Sequence, residues 1–148
     1  MPLRRESLRD LVNTGRTFIA PGATDALSAR LVESAGFPLV YIGSYATAAS
    51  RFGLADVGLL ALPELVEQAR TIVEAVKIPV IADAEGGFND AANIWRTVRA
   101  YEQAGVAAIH IEDHAFGKHA DVPQRLRPRD EAVERIKAAL DARTDPNF

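Results

Sequence analysis

Three carboxylate residues near the ends of two apolar segments have the types and spacing that most clearly indicate chemistry. Asp83 and Glu85 lie in the segment IPVIADAEGG, and Glu112 lies in GVAAIHIED. Side chains alternate between the two faces of a strand and neighbouring strands lie about 4.8 Å apart, so the three carboxylates are expected to meet at one edge of a parallel sheet. Oxygen ligands suit Mg²⁺ or Mn²⁺ better than Zn²⁺. The sequence therefore predicts a divalent metal site.

These residues also have ordinary structural interpretations. A single Asp after a strand is most often a helix cap, and a single exposed Glu is most often solvated. Three acids at two consecutive strand ends favour a functional site. Gly86 and Gly87 add to this indication, because glycine lets the backbone approach a ligand closely. A further hypothesis is a phosphate-binding α/β module in which the same two glycines form an anion-binding nest.

Composition narrows the class of protein. The chain has 148 residues, is 48% hydrophobic and 25% charged, and carries a formal charge of -3, which is typical of a globular domain and unfavourable for nucleic-acid binding. No apolar segment reaches the roughly 20 residues that cross a bilayer, and the N-terminus lacks the apolar run of a signal peptide, so we expect no membrane contact and a cytoplasmic location. The absence of cysteine excludes disulfides, thiolate ligands and a cysteine nucleophile.

The carboxylates must be positioned by strands and helices that alternate along the chain. The segment 43–62 is predicted to be an irregular loop with a helical turn, and 114–127 a polar loop. This alternation predicts an α/β fold with a parallel sheet, in which functional residues follow the strands. Strands are predicted at Phe18–Ala20, Leu39–Ile42, Val80–Ala82 and Ala107–Ile111. Helices are predicted at Ser7–Asn13, Asp25–Ala35 with Thr24 as its cap, Glu64–Val76, Ala91–Ala104 and 128–143.

Four segments resemble the isocitrate lyase/phosphoenolpyruvate mutase superfamily, and together they extend along essentially the whole chain. The resemblance implies a (β/α)8 barrel of the TIM type, Mg²⁺ or Mn²⁺ as cofactor, and chemistry at a C–C or P–C bond next to a 2-oxo acid or its enolate. Since such a barrel takes about 250 residues, residues 1–148 are expected to form one partial domain, a truncated half barrel of four βα units. The segments are PGATDALSARLVESAGF, YIGSYATAASRFGLAD, PVIADAEGGF and GVAAIHIEDHAFGKH.

The resemblance also assigns roles to individual residues. Asp83 matches a direct metal ligand, and Glu85 and Glu112 match metal-site acids that act directly or through water. Glu85 stands where the superfamily usually has Asp, which lengthens the side chain by one methylene. The residues that match substrate-binding positions are Tyr41, Gly43, Ser44 and Asp56.

Lys118 matches a lysine on the gating loop of the superfamily, which implies a catalytic role. The lyase branch follows this lysine with a catalytic cysteine, whereas this chain has Ala120. Alanine cannot act as an acid or base, so the sequence argues against an isocitrate or methylisocitrate lyase that relies on the thiol.

The resulting functional hypothesis is a Mg²⁺-dependent lyase that cleaves a C–C bond of a 2-oxo acid through a pyruvate enolate, similar to oxaloacetate decarboxylase. The first alternative is a P–C bond mutase or hydrolase, similar to phosphoenolpyruvate or carboxyphosphonoenolpyruvate mutase. The second is a non-catalytic half barrel. Four strands with two unpaired edges predict self-association, so a homo-oligomer is expected.

Other polar and aromatic residues receive structural interpretations. His110, in an apolar run, is predicted to be a hydrogen-bonded core residue, whereas His114 and His119 are predicted to be exposed. Trp95, at helical spacing from Val98 and Tyr101, is predicted to pack.

Overall fold

The computed structural model describes residues 2–115 and 125–148. The strands are β1 (Val40–Ile42), β2 (Val80–Asp83) and β3 (Ala108–His110). The α-helices are α1 (Pro2–Asn13), α2 (Ala26–Ser34), α3 (Ser44–Thr47), α4 (Leu62–Ala75), α5 (Ala91–Ala104) and α6 (Arg129–Ala142), and a π-helix covers Ala48–Phe52.

The strands form a parallel sheet in the order β1-β2-β3, as the alternation of elements predicted. Val40 and Val80 are register partners whose side chains are buried against the helices. On the opposite face, Tyr41 and Asp83 are half-buried and His110 is exposed. Among the described residues, the helices therefore cover one face of the sheet, and the other face carries the residues of the candidate site.

The predicted strand at Phe18–Ala20 is wrong. The chain instead makes a single parallel bridge between Gly22 and Tyr41. The Tyr41 N–H donates to the Pro21 carbonyl, and the Tyr41 carbonyl accepts from the Ala23 N–H, both at 2.9 Å. Ile19 is 69% exposed, so this short apolar run buries too little surface to extend the ladder. In the part of the chain that the structure describes, the sheet has three strands.

The main core lies between the sheet and the helices α4 and α5. Ile72 and Val73 of α4 and Tyr101 of α5 are fully buried against Val40 and Val80. Helix packing continues from α2 to α4, from α4 to α5 and from α5 to α6. The helices thus form one layer over the closed face of the sheet.

Local capping chemistry explains the boundaries of α2 and α5. Asp25, rather than the predicted Thr24, caps α2, because its Oδ1 accepts from the Ser28 N–H at 2.7 Å. Asp90 caps α5 through the Asn93 N–H at 3.1 Å, and Gly105 ends the same helix with a left-handed backbone. Helix α1 begins at Pro2, five residues before the predicted Ser7.

The segment after β1 contains helical turns and irregular backbone, as predicted for 43–62. Helix α3 begins directly at Ser44 and leads into the π-helix, after which residues 53–61 form no regular element. π-Helical turns are often found at functional sites. This segment supplies Gly43, Ser44 and Asp56 to the candidate site described below.

Polar contacts close the edge of the sheet that lies away from the carboxylates. Arg5 of α1 is buried and donates to the Val106 carbonyl at 3.1 Å and to Asp145 at 2.8 Å. Glu102 accepts from the Thr144 and Asp145 N–H groups at 2.9 and 2.6 Å. These bonds tie the first helix and the last residues to α5.

None of the helices in the described segments is both long and apolar enough to span a bilayer.

Candidate active site

Asp83 lies at the end of β2, where its carboxylate is held by neighbouring donors. Its Oδ2 accepts from the Ser44 N–H at 3.2 Å and from the Ser44 hydroxyl at 2.8 Å. Its Oδ1 accepts from the Glu85 N–H at 2.8 Å. Because both oxygens accept hydrogen bonds, the carboxylate has a defined orientation at the carboxyl edge of the sheet.

Asp56 belongs to the same network although it lies in the irregular segment after the π-helix. The Ser44 hydroxyl lies 3.5 Å from Asp56 Oδ1, so Ser44 contacts both carboxylates. Ser44 is buried, and the two aspartates are half-buried. The structure therefore brings together Ser44, Asp56 and Asp83, as the resemblance implied.

These residues line a cleft of about 310 Å³ on the open face of the sheet. The cleft contains all the residues predicted to bind substrate and two of the acids predicted for the metal site. Gly43 helps to keep it open, because a Cβ there would approach Tyr41 Cε1 to 3.3 Å. The lining residues are Gly22, Tyr41, Gly43, Ser44, Tyr45, Ala46, Asp56, Asp83 and Glu112.

Glu85 is placed differently from the prediction. Strand β2 ends at Asp83, and the Glu85 backbone has a φ of 51°, so strand alternation does not set the direction of its side chain. The Glu85 side chain is also not among those that line the cleft. Its carbonyl instead accepts from the Glu112 N–H at 2.8 Å. The backbone of Glu85, rather than strand alternation, connects Asp83 with Glu112.

Glu112 contacts a histidine that the sequence interpretation placed in an exposed loop. His114 is half-buried, and its Nε2 lies 2.5 Å from Glu112 Oε2 while its Nδ1 lies 2.8 Å from the Ala115 carbonyl oxygen. Because a carbonyl oxygen only accepts, Nδ1 carries a proton. Nε2 then donates to the Glu112 carboxylate if the ring is charged. The spacing of Glu112 and His114, two residues apart in an extended segment, was the available signal for this pair.

His110 is also placed differently from the prediction of a core residue. Its side chain is exposed on the open face, and its ring centroid lies 5.3 Å from that of Tyr41. It is the register partner of Asp83. His110 therefore belongs to the face of the sheet that carries the site.

Trp95, which was predicted to pack, is 49% exposed, and the Arg99 guanidinium lies over its ring.

Tyr101 supports the site from below the sheet edge. Its hydroxyl donates to the Asp83 carbonyl at 2.8 Å. Burial raises the pKa of Tyr101 strongly, and the negative charges of Asp83 and Glu85 raise it further. The phenol therefore stays neutral and remains a hydrogen-bond donor.

The donor set of the cleft determines which ion it suits. Among residues 2–115 and 125–148, no group of three or more His, Asp or Glu side chains is arranged to hold a metal ion. Asp83, Glu85 and Glu112 therefore do not form a three-carboxylate group around one ion in the described part of the chain. The carboxylates and hydroxyl that do line the cleft are all oxygen donors, and Mg²⁺ is usually held by only one or two carboxylates together with water. The oxygen donors present thus fit Mg²⁺, and the assignments of Asp83, Glu85 and Glu112 as metal-site residues stay predictions.

Lys118, His119 and Ala120 lie outside the described residues, so their assigned roles stay predictions. Residues 113–115, before the undescribed part of the chain, pair with residues 125–127, after it. The Ala115 N–H donates to the Arg125 carbonyl at 2.6 Å, and the Arg127 N–H donates to the Asp113 carbonyl at 2.8 Å. The two ends of the segment that contains Lys118 therefore lie beside Glu112 and His114.

Comparison with known proteins identifies the sequences that this chain resembles. The sequence profile of the phosphoenolpyruvate phosphomutase family matches residues 8–148. A 2,3-dimethylmalate lyase from Eubacterium barkeri is 46% identical over 143 residues, which cover 95% of this chain and 50% of that protein. An oxaloacetate decarboxylase from Bradyrhizobium sp. (strain ORS 278) is 43% identical over 151 residues, covering 99% of this chain and 51% of that protein.

Solved structures of other proteins share the fold of this chain. A phosphonopyruvate hydrolase in complex with oxalate and Mg²⁺ superposes with a TM-score of 0.87 at 34% sequence identity, covering 98% of this chain and 50% of that one. The predicted fold class is confirmed: the chain forms an α/β half barrel of the TIM type. It spans about half the length of the relatives it matches.

Proposed function

Because this chain belongs to the phosphoenolpyruvate phosphomutase family, within the isocitrate lyase/phosphoenolpyruvate mutase superfamily, we propose that the protein is a Mg²⁺-dependent lyase of 2-oxo acids. The single observation that carries this proposal is the network in which Ser44 contacts both Asp83 and Asp56. It holds acidic oxygen donors at the carboxyl edge of a parallel sheet, which is where barrel enzymes place their active sites.

The residues of the cleft have distinct proposed roles. Asp83 holds the metal ion, and Asp56 and Glu112 support it, directly or through water. When bound, Mg²⁺ supplies stabilisation of the negative charge that develops on the keto oxygen of a 2-oxo acid as the neighbouring bond breaks. Gly43 leaves room for the substrate beside Tyr41.

Ser44 has a more specific role than the resemblance implied. Both its N–H and its hydroxyl donate to Asp83, so its first function is to orient that carboxylate. Binding of a substrate carboxylate by the Ser44 hydroxyl requires the hydroxyl to turn away from Asp83. Lys118 remains the proposed cation that offsets charge on the departing group.

Two reaction types are proposed, in order of preference. C–C cleavage of an oxaloacetate-like substrate is favoured by the identities to 2,3-dimethylmalate lyase and oxaloacetate decarboxylase. P–C hydrolysis is the second candidate, supported by the similarity to phosphonopyruvate hydrolase. Both reactions start from a 2-oxo acid, and they differ in whether the bond that breaks is a C–C or a P–C bond.

A panel of possible substrates tests this proposal. Oxaloacetate, 2,3-dimethylmalate and phosphonopyruvate are each incubated with the protein and Mg²⁺, and again with a chelator, while pyruvate-type products and phosphate are measured. Mg²⁺-dependent release of a 2-oxo acid or carboxylate product without phosphate, at a rate above that of the same mixture without protein, supports the lyase. Phosphate release from phosphonopyruvate supports the second candidate. If product forms equally well with the chelator, the metal-dependent mechanism is wrong.

A non-catalytic half barrel that pairs with itself or with another half is the remaining alternative. It is supported by apolar side chains on α6, where Val133, Ile136 and Leu140 are 41 to 50% exposed. Beside them, Ile109 and Ile111 line an apolar cleft of about 260 Å³ next to β3. We propose that this surface mediates self-association. Sedimentation analysis that finds only a monomer at micromolar concentration argues against it.

A further inference from the structure

The loop that follows β2, residues 85–89, has an unusual backbone. The described non-glycine residues with positive φ are Glu85, Phe88 and Asn89, with values of 51°, 59° and 110°. Backbone of this kind persists only where the surrounding structure holds it, and it clusters at functional sites. The backbone conformation of residues 85–89 must therefore be stabilised by contacts with other parts of the chain.

Two helices supply those contacts. Arg135 of α6 donates from Nη1 to the Asn89 carbonyl at 2.5 Å and from Nη2 to the Gly86 carbonyl. Thr97 of α5 donates its hydroxyl to the Gly87 carbonyl at 3.2 Å. Arg135 is only 5% exposed, and a buried charge of this kind requires hydrogen-bond partners. The loop carbonyls provide partners for Nη1 and Nη2, whereas the buried Nε has no partner among the described residues.

The shape of this loop bears directly on the candidate site. The Glu85 N–H donates to Asp83 Oδ1, and the Glu85 carbonyl accepts from the Glu112 N–H, both at 2.8 Å. A change in the loop would therefore alter the orientation of Asp83 and its distance from Glu112. Arg135 itself does not line the cleft, so any effect it has on the site passes through the loop.

We propose that Arg135 is a positioning residue that holds the backbone of the loop 85–89. The Glu85 backbone then keeps Asp83 and Glu112 at the orientation and separation that metal binding requires. This inference rests on the proposed function, because it presumes a divalent ion at Asp83. The geometry also explains the choice of residue. A guanidinium presents two separate nitrogens to two carbonyls, whereas a lysine has one nitrogen and reaches one of them.

Two measurements on the full chain test the proposal. Hydrogen–deuterium exchange followed by mass spectrometry reports the protection of residues 85–89, and electron paramagnetic resonance titration reports the dissociation constant for Mn²⁺. In Arg135→Met, we expect faster exchange in this loop and about a tenfold increase in the dissociation constant, the scale for groups that orient metal ligands. Arg135→Lys should give a smaller change of each quantity.

Lys137→Met is the matched control, because Lys137 lies on the same helix, is exposed and contacts only Glu134 among the interactions described. It should change neither quantity. Circular dichroism checks that each variant is folded, and Arg135→Lys keeps the test usable if Arg135→Met does not fold.

The outcomes separate this inference from the proposed function. Unchanged exchange in residues 85–89 of Arg135→Met overturns the positioning role whatever the metal does. Faster exchange with an unchanged Mn²⁺ dissociation constant also overturns it, because the loop is then irrelevant to the site. If the unsubstituted chain binds no Mn²⁺, the metal-dependent function fails for this chain, and the exchange measurement alone decides whether Arg135 holds the loop.

Discussion

The hydroxyl of Ser44, in the first turn after β1, donates to Asp83 Oδ2 at the end of β2 over 2.8 Å. The two residues lie 39 positions apart in the sequence and meet because β1 and β2 are adjacent parallel strands. This contact fixes the carboxylate that we propose as the metal ligand. The following predictions test the contacts around it.

Asp83→Asn should remove metal binding with little change in the size of the side chain. The amide keeps one oxygen acceptor but lacks the negative charge that attracts Mg²⁺. We expect a loss of Mn²⁺ affinity of about 100-fold and loss of any Mg²⁺-dependent turnover, measured by titration and by the substrate panel. Asp141→Asn, an exposed acid on α6, is the control. Full turnover in Asp83→Asn would exclude Asp83 as the ligand.

Ser44→Ala should weaken the site without removing its charge. The substitution removes the hydroxyl bond to Asp83 and leaves the N–H bond at 3.2 Å in place. A hydrogen bond to a charged group contributes about 1.5–3 kcal/mol, so the free energy of unfolding should fall by an amount near the lower end of that range. Urea denaturation measures it. Ser50→Ala, at an exposed position of the π-helix, should change the unfolding free energy little.

Gly87→Ala should be more destabilising than Gly36→Ala. Both glycines have similar positive φ values, 80° and 84°, so the backbone penalty is nearly the same. At Gly87 the new Cβ would lie 2.6 Å from Ile94 Cγ1, whereas nothing lies within 4 Å at Gly36. Overpacking adds about 1–3 kcal/mol, and urea denaturation of both variants measures the difference. Equal effects would mean that the loop 85–89 yields easily.

Asp145 should make the stability of the fold depend on pH in the acidic range. The hydrogen bond from Arg5 holds the pKa of Asp145 below its ordinary value of 3.8, and the Asn147 N–H lowers it further. A carboxylate with a lowered pKa stabilises the fold above the unfolded-state pKa and loses this contribution as the pH falls through the folded-state pKa. Asp145→Asn should therefore be less stable than the unsubstituted chain at pH 7, with a difference that shrinks below about pH 4. Thermal unfolding across this range is the measurement, and a pH-independent difference would contradict it.

Much of the architecture was predictable from local sequence signals. Asp90 and Gly105 mark the two ends of α5, which matches its predicted range of Ala91–Ala104. The apolar run before Asp83 predicted β2, and the alternation of strands and helices predicted the parallel sheet. These features depend on residues within a few positions of each other. Hydrophobic periodicity, capping and glycine conformations are therefore enough to specify them.

The α/β class and the position of Asp83 at a strand end were thus predictable, because both follow from short-range patterns. Three features could be seen only in the folded chain: Glu85 has a left-handed backbone, His114 contacts Glu112, and Arg135 contacts the loop 85–89. The Arg135 contacts join residues 46 and 49 positions apart. Their partners are backbone carbonyls, which every residue possesses, so no side-chain pattern identifies them before the chain is folded.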